Sequence, residues 1–190
     1  MKDAVERIRN QGSSSILCDM VQQNPMDFER QRVEAELNTI EDWDKVNQSV
    51  KSIIIAANSM NGENLKGLDF TDCKNLRLVT VGDDCFMHVN TLKLIGMKNL
   101  ESVMIGKNCF TKERNKSGKD PKRHFELKSC PSLRELKVGR YSFSDYTVCE
   151  IDDVNALVTI AIGELNADSY NFPFASLKLK GWWDAKGDYP

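Results

Sequence analysis

Apolar residues recur along this chain at a fixed spacing, and the spacing itself repeats. The segment from Leu68, LDFTDCKNLRLVTVGDDCF, matches the segment from Leu92, LKLIGMKNLESVMIGKNCF, at every apolar position. A third copy begins at Phe125, FELKSCPSLRELKVGRYSF, and a fourth at Cys149, CEIDDVNALVTIAIGELNA. The shared pattern is apolar-x-apolar, Cys or another apolar residue, Leu, apolar-x-apolar-Gly, then a small residue and Phe. Gly82, Gly106, Gly139 and Gly163 are separated by 24, 33 and 24 residues, so the middle interval holds one period plus an insert visible as TKERNKSGKDPK. A partial copy precedes the array at Val50, Ile53, Ile55, Ala56 and Met60, and another follows at Leu177, Leu179 and Trp182. Within each copy two stretches alternate with period two, as in Leu68-x-Phe70 and Val79-x-Val81, which predicts strands with one buried face. The Gly after the second stretch predicts a turn where a Cβ would be in the way.

One copy cannot bury its apolar face alone, and stacked copies complete it. The fold predicted is an α/β repeat solenoid of about four to five 24-residue β-rich repeats with parallel sheets and an N-terminal helical cap. The boundaries are 1–48 for the cap, 49–183 for the solenoid with a basic insert at 111–123, and 184–190 for a C-terminal tail. The Leu-x-x-apolar-x-apolar-Gly-x-x-small-Phe pattern resembles the leucine-rich repeats of the BspA-like class. That resemblance implies an interaction or adhesion module and brings no catalytic residues with it. The chain departs from the class in its basic insert, its longer return segment and the lack of a Pro after the second strand.

In the cap, Asn24-Pro25 suits a helix start. Val33, Leu37, Ile40 and Trp43 then form an apolar stripe at helical spacing. A shorter helix carries Val5 and Ile8, with Gly12-Ser13-Ser14-Ser15 as the break. The stripe is expected to fold over the first repeat, the other reading being a partner-binding helix. At the far end Trp182 takes the position held by Cys73, Met97, Cys130 and Val154 and is expected to close the core. Trp183 is less constrained.

Composition narrows the picture only a little. With 41% hydrophobic and 28% charged residues and a net charge of −2, the chain is an ordinary folded protein without a charge-selected partner. No run of eighteen apolar residues and no signal-peptide pattern occurs, so no membrane span is expected and a cytoplasmic, reducing location is. In such a compartment Cys73, Cys85, Cys109 and Cys130 serve as small core residues. A disulfide between neighbouring copies is the alternative.

No C-x-x-C pair, nucleotide-binding loop or hydrolase motif is present, and His88 and His124, placed in connecting segments, have no nucleophile or ligand cluster at motif spacing. The expectation is therefore a non-enzyme, without cofactor or metal, that binds an unidentified protein. The outward columns of the second sheet give the candidate site: Leu78, Ser102 and Glu135 beside Thr80, Met104 and Lys137. Leu78 and Met104 are expected to be exposed and close, as a contact patch or as scattered surface apolar residues; both readings stand. The alternative site is the insert, where Lys112, Arg114, Lys116, Lys119, Lys122 and Arg123 would meet an acidic surface or, less favoured, nucleic acid. A cell-surface adhesin fragment is a third reading. Exposed strand edges also permit self-association.

Overall fold

The computed structural model describes residues 34–43, 46, 48–112, 120–164 and 169–180. In chain order its elements are β1 (Glu34–Leu37), α1 (Ile40–Trp43), β2 (Ser52–Ile55), β3 (Gly67–Asp69), β4 (Leu78–Val81), β5 (Thr91–Ile95), β6 (Ser102–Ile105), β7 (His124–Lys128), β8 (Glu135–Val138), β9 (Val148–Asp152), β10 (Thr159–Ile162) and β11 (Ser176–Lys180). The strands form two parallel sheets: β1-β2-β4-β6-β8-β10, here sheet A, and β3-β5-β7-β9-β11, sheet B. From β2 onward successive strands alternate between the sheets. The register pairs residues that share a place in the sequence pattern, such as Val79 with Val103 and Val103 with Leu136.

Alternation within each strand sends one set of side chains between the sheets. Ile53, Val79, Val103 and Leu136 enter from sheet A and Leu68, Leu92, Phe125 and Cys149 from sheet B, all buried. Between strands, Phe86, Phe110, Phe143 and Phe172 stack in a column with ring centroids 4.8, 4.7 and 4.8 Å apart. Packing leaves a void of about 10 Å³ around Phe86 and Phe110, room for no more than a single water. Gly82, Gly106 and Gly139 each lie against the preceding turn: a Cβ on Gly139 would sit 2.5 Å from the carbonyl carbon of Gly106. The sequence expectation of a turn closed to side chains holds there.

The N-terminal segment differs from its prediction. Instead of a helix through Leu37, residues Glu34–Leu37 are a strand, with Ala35 opposite Ile53 and Leu37 opposite Ile55. The edge of β2 presents unpaired backbone groups, and satisfying them outweighs a helical stripe whose residues also alternate polar and apolar. Helix then appears only as α1. It is started by the Asp42 carboxylate, which accepts from the backbone N–H groups of Asn38 and Thr39 at 3.0 and 2.9 Å. Trp43 packs edge-on against Phe70, with centroids 5.1 Å apart. Among the described residues there is thus no long helical cap. Val33, the Asn24-Pro25 start, the helix with Val5 and Ile8 and its break, and Trp182 and Trp183 lie outside the described residues.

Candidate interaction surface

On the outer face of sheet A, β4 and β6 set Leu78 opposite Ser102 and Thr80 opposite Met104, and β6 and β8 set Ser102 opposite Glu135 and Met104 opposite Lys137. All six predicted residues are therefore on one face. Leu78 and Met104 are half-buried and not exposed as predicted, because each has cross-strand neighbours on both sides, Ser52 and Ser102 for Leu78 and Thr80 and Lys137 for Met104. Ile54 of β2, opposite Thr80, is half-buried as well. Ile54, Leu78 and Met104 thus surround Thr80 as a low apolar area. Ile54 was missing from the sequence-derived site, although it occupies the outward place in the partial copy from Val50 to Met60.

Polar groups border this area and are internally matched. Lys137 and Glu135 pair at 2.5 Å, and Ser102 Oγ donates to Glu135 Oε2 at 3.0 Å. Lys137 first and Ser102 second hold the Glu135 carboxyl below its ordinary range. Arg77 meets Glu101 at the strand entrances at 2.6 Å. Sheet B carries charges instead. Lys128 Nζ lies 2.9 Å from Glu126 and 2.6 Å from Glu150, and Lys178 reaches Glu150 at 3.7 Å. Glu126 and Glu150 are directly opposite in register, so Lys128 relieves a like-charge pair and the face is committed to its own ladder.

The insert does not present its basic residues together. Lys112 and Lys122 are exposed, but Arg123 is only 3% exposed. Its guanidinium donates to Asp145 Oδ2 at 2.7 Å and to the carbonyls of Val89 and Met87 at 2.8 and 3.0 Å, over the Tyr146 ring at 5.1 Å. The prediction of a surface charge at 123 is corrected: ordered carbonyls and a carboxylate converge on that position, and an Arg fork fits them. Asp145 also accepts from the Lys112 N–H at 3.1 Å, so it fastens both ends of the insert. Arg114, Lys116 and Lys119 lie outside the described residues.

The five described cysteines are buried free thiols. Cys85 and Cys109 do more than fill space. Their thiols donate to the carbonyls of Ala56 and Gly82, both at 3.0 Å. Ser142 and Asn171, at the same place in later copies, donate to Gly106 and Gly139, both at 2.7 Å. What sequence shows as a small residue before Phe is a donor column that satisfies the carbonyls of the stacked turns. Burial raises the Cys149 thiol to about 12 and lifts those of Cys73 and Cys130 as well.

His124 opens β7 and is not in a connecting segment, as its spacing suggested; its Nε2 lies 2.6 Å from the Pro121 carbonyl. His88 is half-buried in a loop. Among the described residues no three His, Cys, Asp or Glu are grouped to hold a metal, and no helix is long and apolar enough to cross a membrane. No family model, curated protein or solved structure matches the chain.

Proposed function

We propose that the chain is a non-catalytic, protein-binding module: a leucine-rich-repeat-type solenoid, similar to the BspA-like class, that recognises its partner on the outer face of sheet A. The observation that carries this reading is the apolar area of Ile54, Leu78 and Met104 around Thr80, on strands held rigid by ladder pairing on both sides. Support for the solenoid lies in registers that advance one sequence copy at a time in both sheets. The outer face of sheet B is filled by its own ion pairs, which leaves sheet A as the face with unused apolar surface.

The basic insert is the second reading, favoured only by exposed Lys112 and Lys122, and weakened by the withdrawal of Arg123 into the interior. Affinity capture with the wild type and with Leu78→Lys/Met104→Lys separates the two. Loss of the captured protein by a variant of unchanged circular dichroism assigns recognition to sheet A. Retention by the variant, with loss on raising salt, assigns it to the insert and rejects the proposal.

A further inference from the structure

Among the described cysteines, Cys85 and Cys109 alone hold the same place in consecutive copies. Cys73 and Cys130 also share a place, but the copy between them carries Met97 there, and Cys149 lies on β9. The turns that hold Cys85 and Cys109 are bonded to each other. The Phe110 N–H donates to the Cys85 carbonyl at 2.9 Å, and the Asp84 N–H to the Lys107 carbonyl at 2.8 Å. Turns joined in this way keep the strand spacing of about 4.8 Å, inside the Cα separation of about 4.4–6.8 Å that a disulfide spans.

Donors converge on one of the two sulfurs. Ser59 Oγ lies 3.8 Å from Cys85 Sγ, and the Cys109 thiol is in contact with it. A hydrogen bond from that thiol, with others from Ser59 and the Asn58 N–H, holds the Cys85 thiol below its usual range against the cost of burial. The same contact and burial hold Cys109 above its usual range. One sulfur is thus the readier nucleophile, and its neighbour keeps a proton to give up later.

We propose that Cys85 and Cys109 are an oxidative modification site, where a small peroxide converts the pair to a disulfide between neighbouring turns. The Cys85 thiolate attacks one oxygen of hydrogen peroxide. An S–O bond forms, the O–O bond breaks, and the departing hydroxide takes the Cys85 proton as water. The Cys109 sulfur then attacks Cys85 Sγ, forming the S–S bond and breaking S–O, and the second hydroxide leaves as water with the Cys109 proton. Two electrons pass from the thiols to the peroxide. Both sulfurs are buried, which selects a small oxidant. Ala56 and Asp83, whose carbonyls the Cys85 thiol reaches, are exposed, so a brief opening of the turns admits it. The disulfide removes both S–H donors. Ala56 keeps the Ser59 hydroxyl at 2.5 Å, whereas the Gly82 carbonyl loses the thiol that met it at 3.0 Å. This chemistry does not rest on sheet A binding a partner.

The test is peroxide titration of the full chain while its dichroism stays native, with mass mapping of unreduced peptides and dimedone to trap sulfenic acid. Cys85→Ser and Cys109→Ser are the variants. Ser142, at the same place, donates to the Gly106 carbonyl at 2.7 Å, so serine preserves the donor column and both variants are expected to fold. The wild type is expected to form the Cys85–Cys109 disulfide before Cys73, Cys130 or Cys149 is modified, and dithiothreitol to reverse it. Cys109→Ser is expected to trap dimedone at Cys85, and Cys85→Ser to leave Cys109 untouched at the same dose. Oxidation of the exposed Met87 marks an effective dose. Free thiols at both positions beyond that dose overturn the proposal. So does a disulfide that forms only after the dichroism is lost, one that joins either sulfur to another cysteine, or equal trapping in the two variants.

Discussion

The four stacked phenylalanines occupy backbone positions that large side chains rarely take: φ is 61° at Phe86, 55° at Phe110, 59° at Phe143 and 51° at Phe172. Left-handed backbone costs about 1–2 kcal/mol per residue, so burial must offset it. A buried Phe loses about 3–5 kcal/mol on truncation to Ala, which exceeds the strain and decides in favour of Phe. Phe143→Ala is therefore expected to destabilise by an amount in that range in urea melts. The Arg123–Asp145 pair gives a sharper test. Removing one partner of a buried pair costs about 3–5 kcal/mol because the other charge is stranded. Asp145→Asn is expected to approach that loss, and Arg123→Met/Asp145→Leu to cost less than the sum of the single changes. Additivity in a double-mutant cycle would show that the pair is not coupled. In the sequence, the Phe position was plain and its backbone was not, since Phe carries no propensity for that region. Arg123 was misplaced because it closes a basic run, and nothing local distinguishes it from Lys122.

Among the elements, sheet B ties its charge ladder to pH. Lys128 holds the Glu150 carboxyl below its ordinary 4.5, and Glu150 and Glu126 hold the Lys128 ammonium above its ordinary 10.5. A depressed carboxyl stabilises above its unfolded value and loses that contribution as pH falls through the folded one. A raised ammonium stabilises below its unfolded value and loses that contribution as pH rises through the folded one. Lys128→Met is thus expected to lower Tm most between roughly pH 5 and 10, with the gap closing in acid as Glu150 becomes protonated. A gap that is constant down to acid pH would remove the ladder as the source. The periodic strands of both sheets were legible because each copy repeats the same alternation. β1 was not, because four residues with two apolar positions fit helix and strand alike, and only the free edge of β2 chooses between them.

At the scale of the whole molecule, cover among the described residues increases inward from β10 and β11. Leu136, fully buried in β8, and Ile160, its half-exposed neighbour in β10, are paired in register and differ in what lies beyond them. Leu136→Ala is expected to cost about 2–5 kcal/mol, as core truncations do. Ile160→Ala should remain within about 0.5 kcal/mol, as at a surface site. Amide exchange should likewise run faster in β10 and β11 than in β6 and β8. Equal protection across all four strands would contradict the gradient.

The sequence by itself determined the parallel strands, their inward residues and their register, because a pattern repeated every 24 residues admits few ways to bury its apolar face. It also placed the sheet A columns together, since outward positions follow from the same alternation. Tertiary structure alone decided which of those side chains are half-buried, that Arg123 turns inward to a carboxylate and carbonyls, that the small residues before Phe are donors, and that Glu34–Leu37 form a strand. Each of these depends on what the neighbouring turn presents or fails to present, and no periodicity along the chain encodes the far side of a contact.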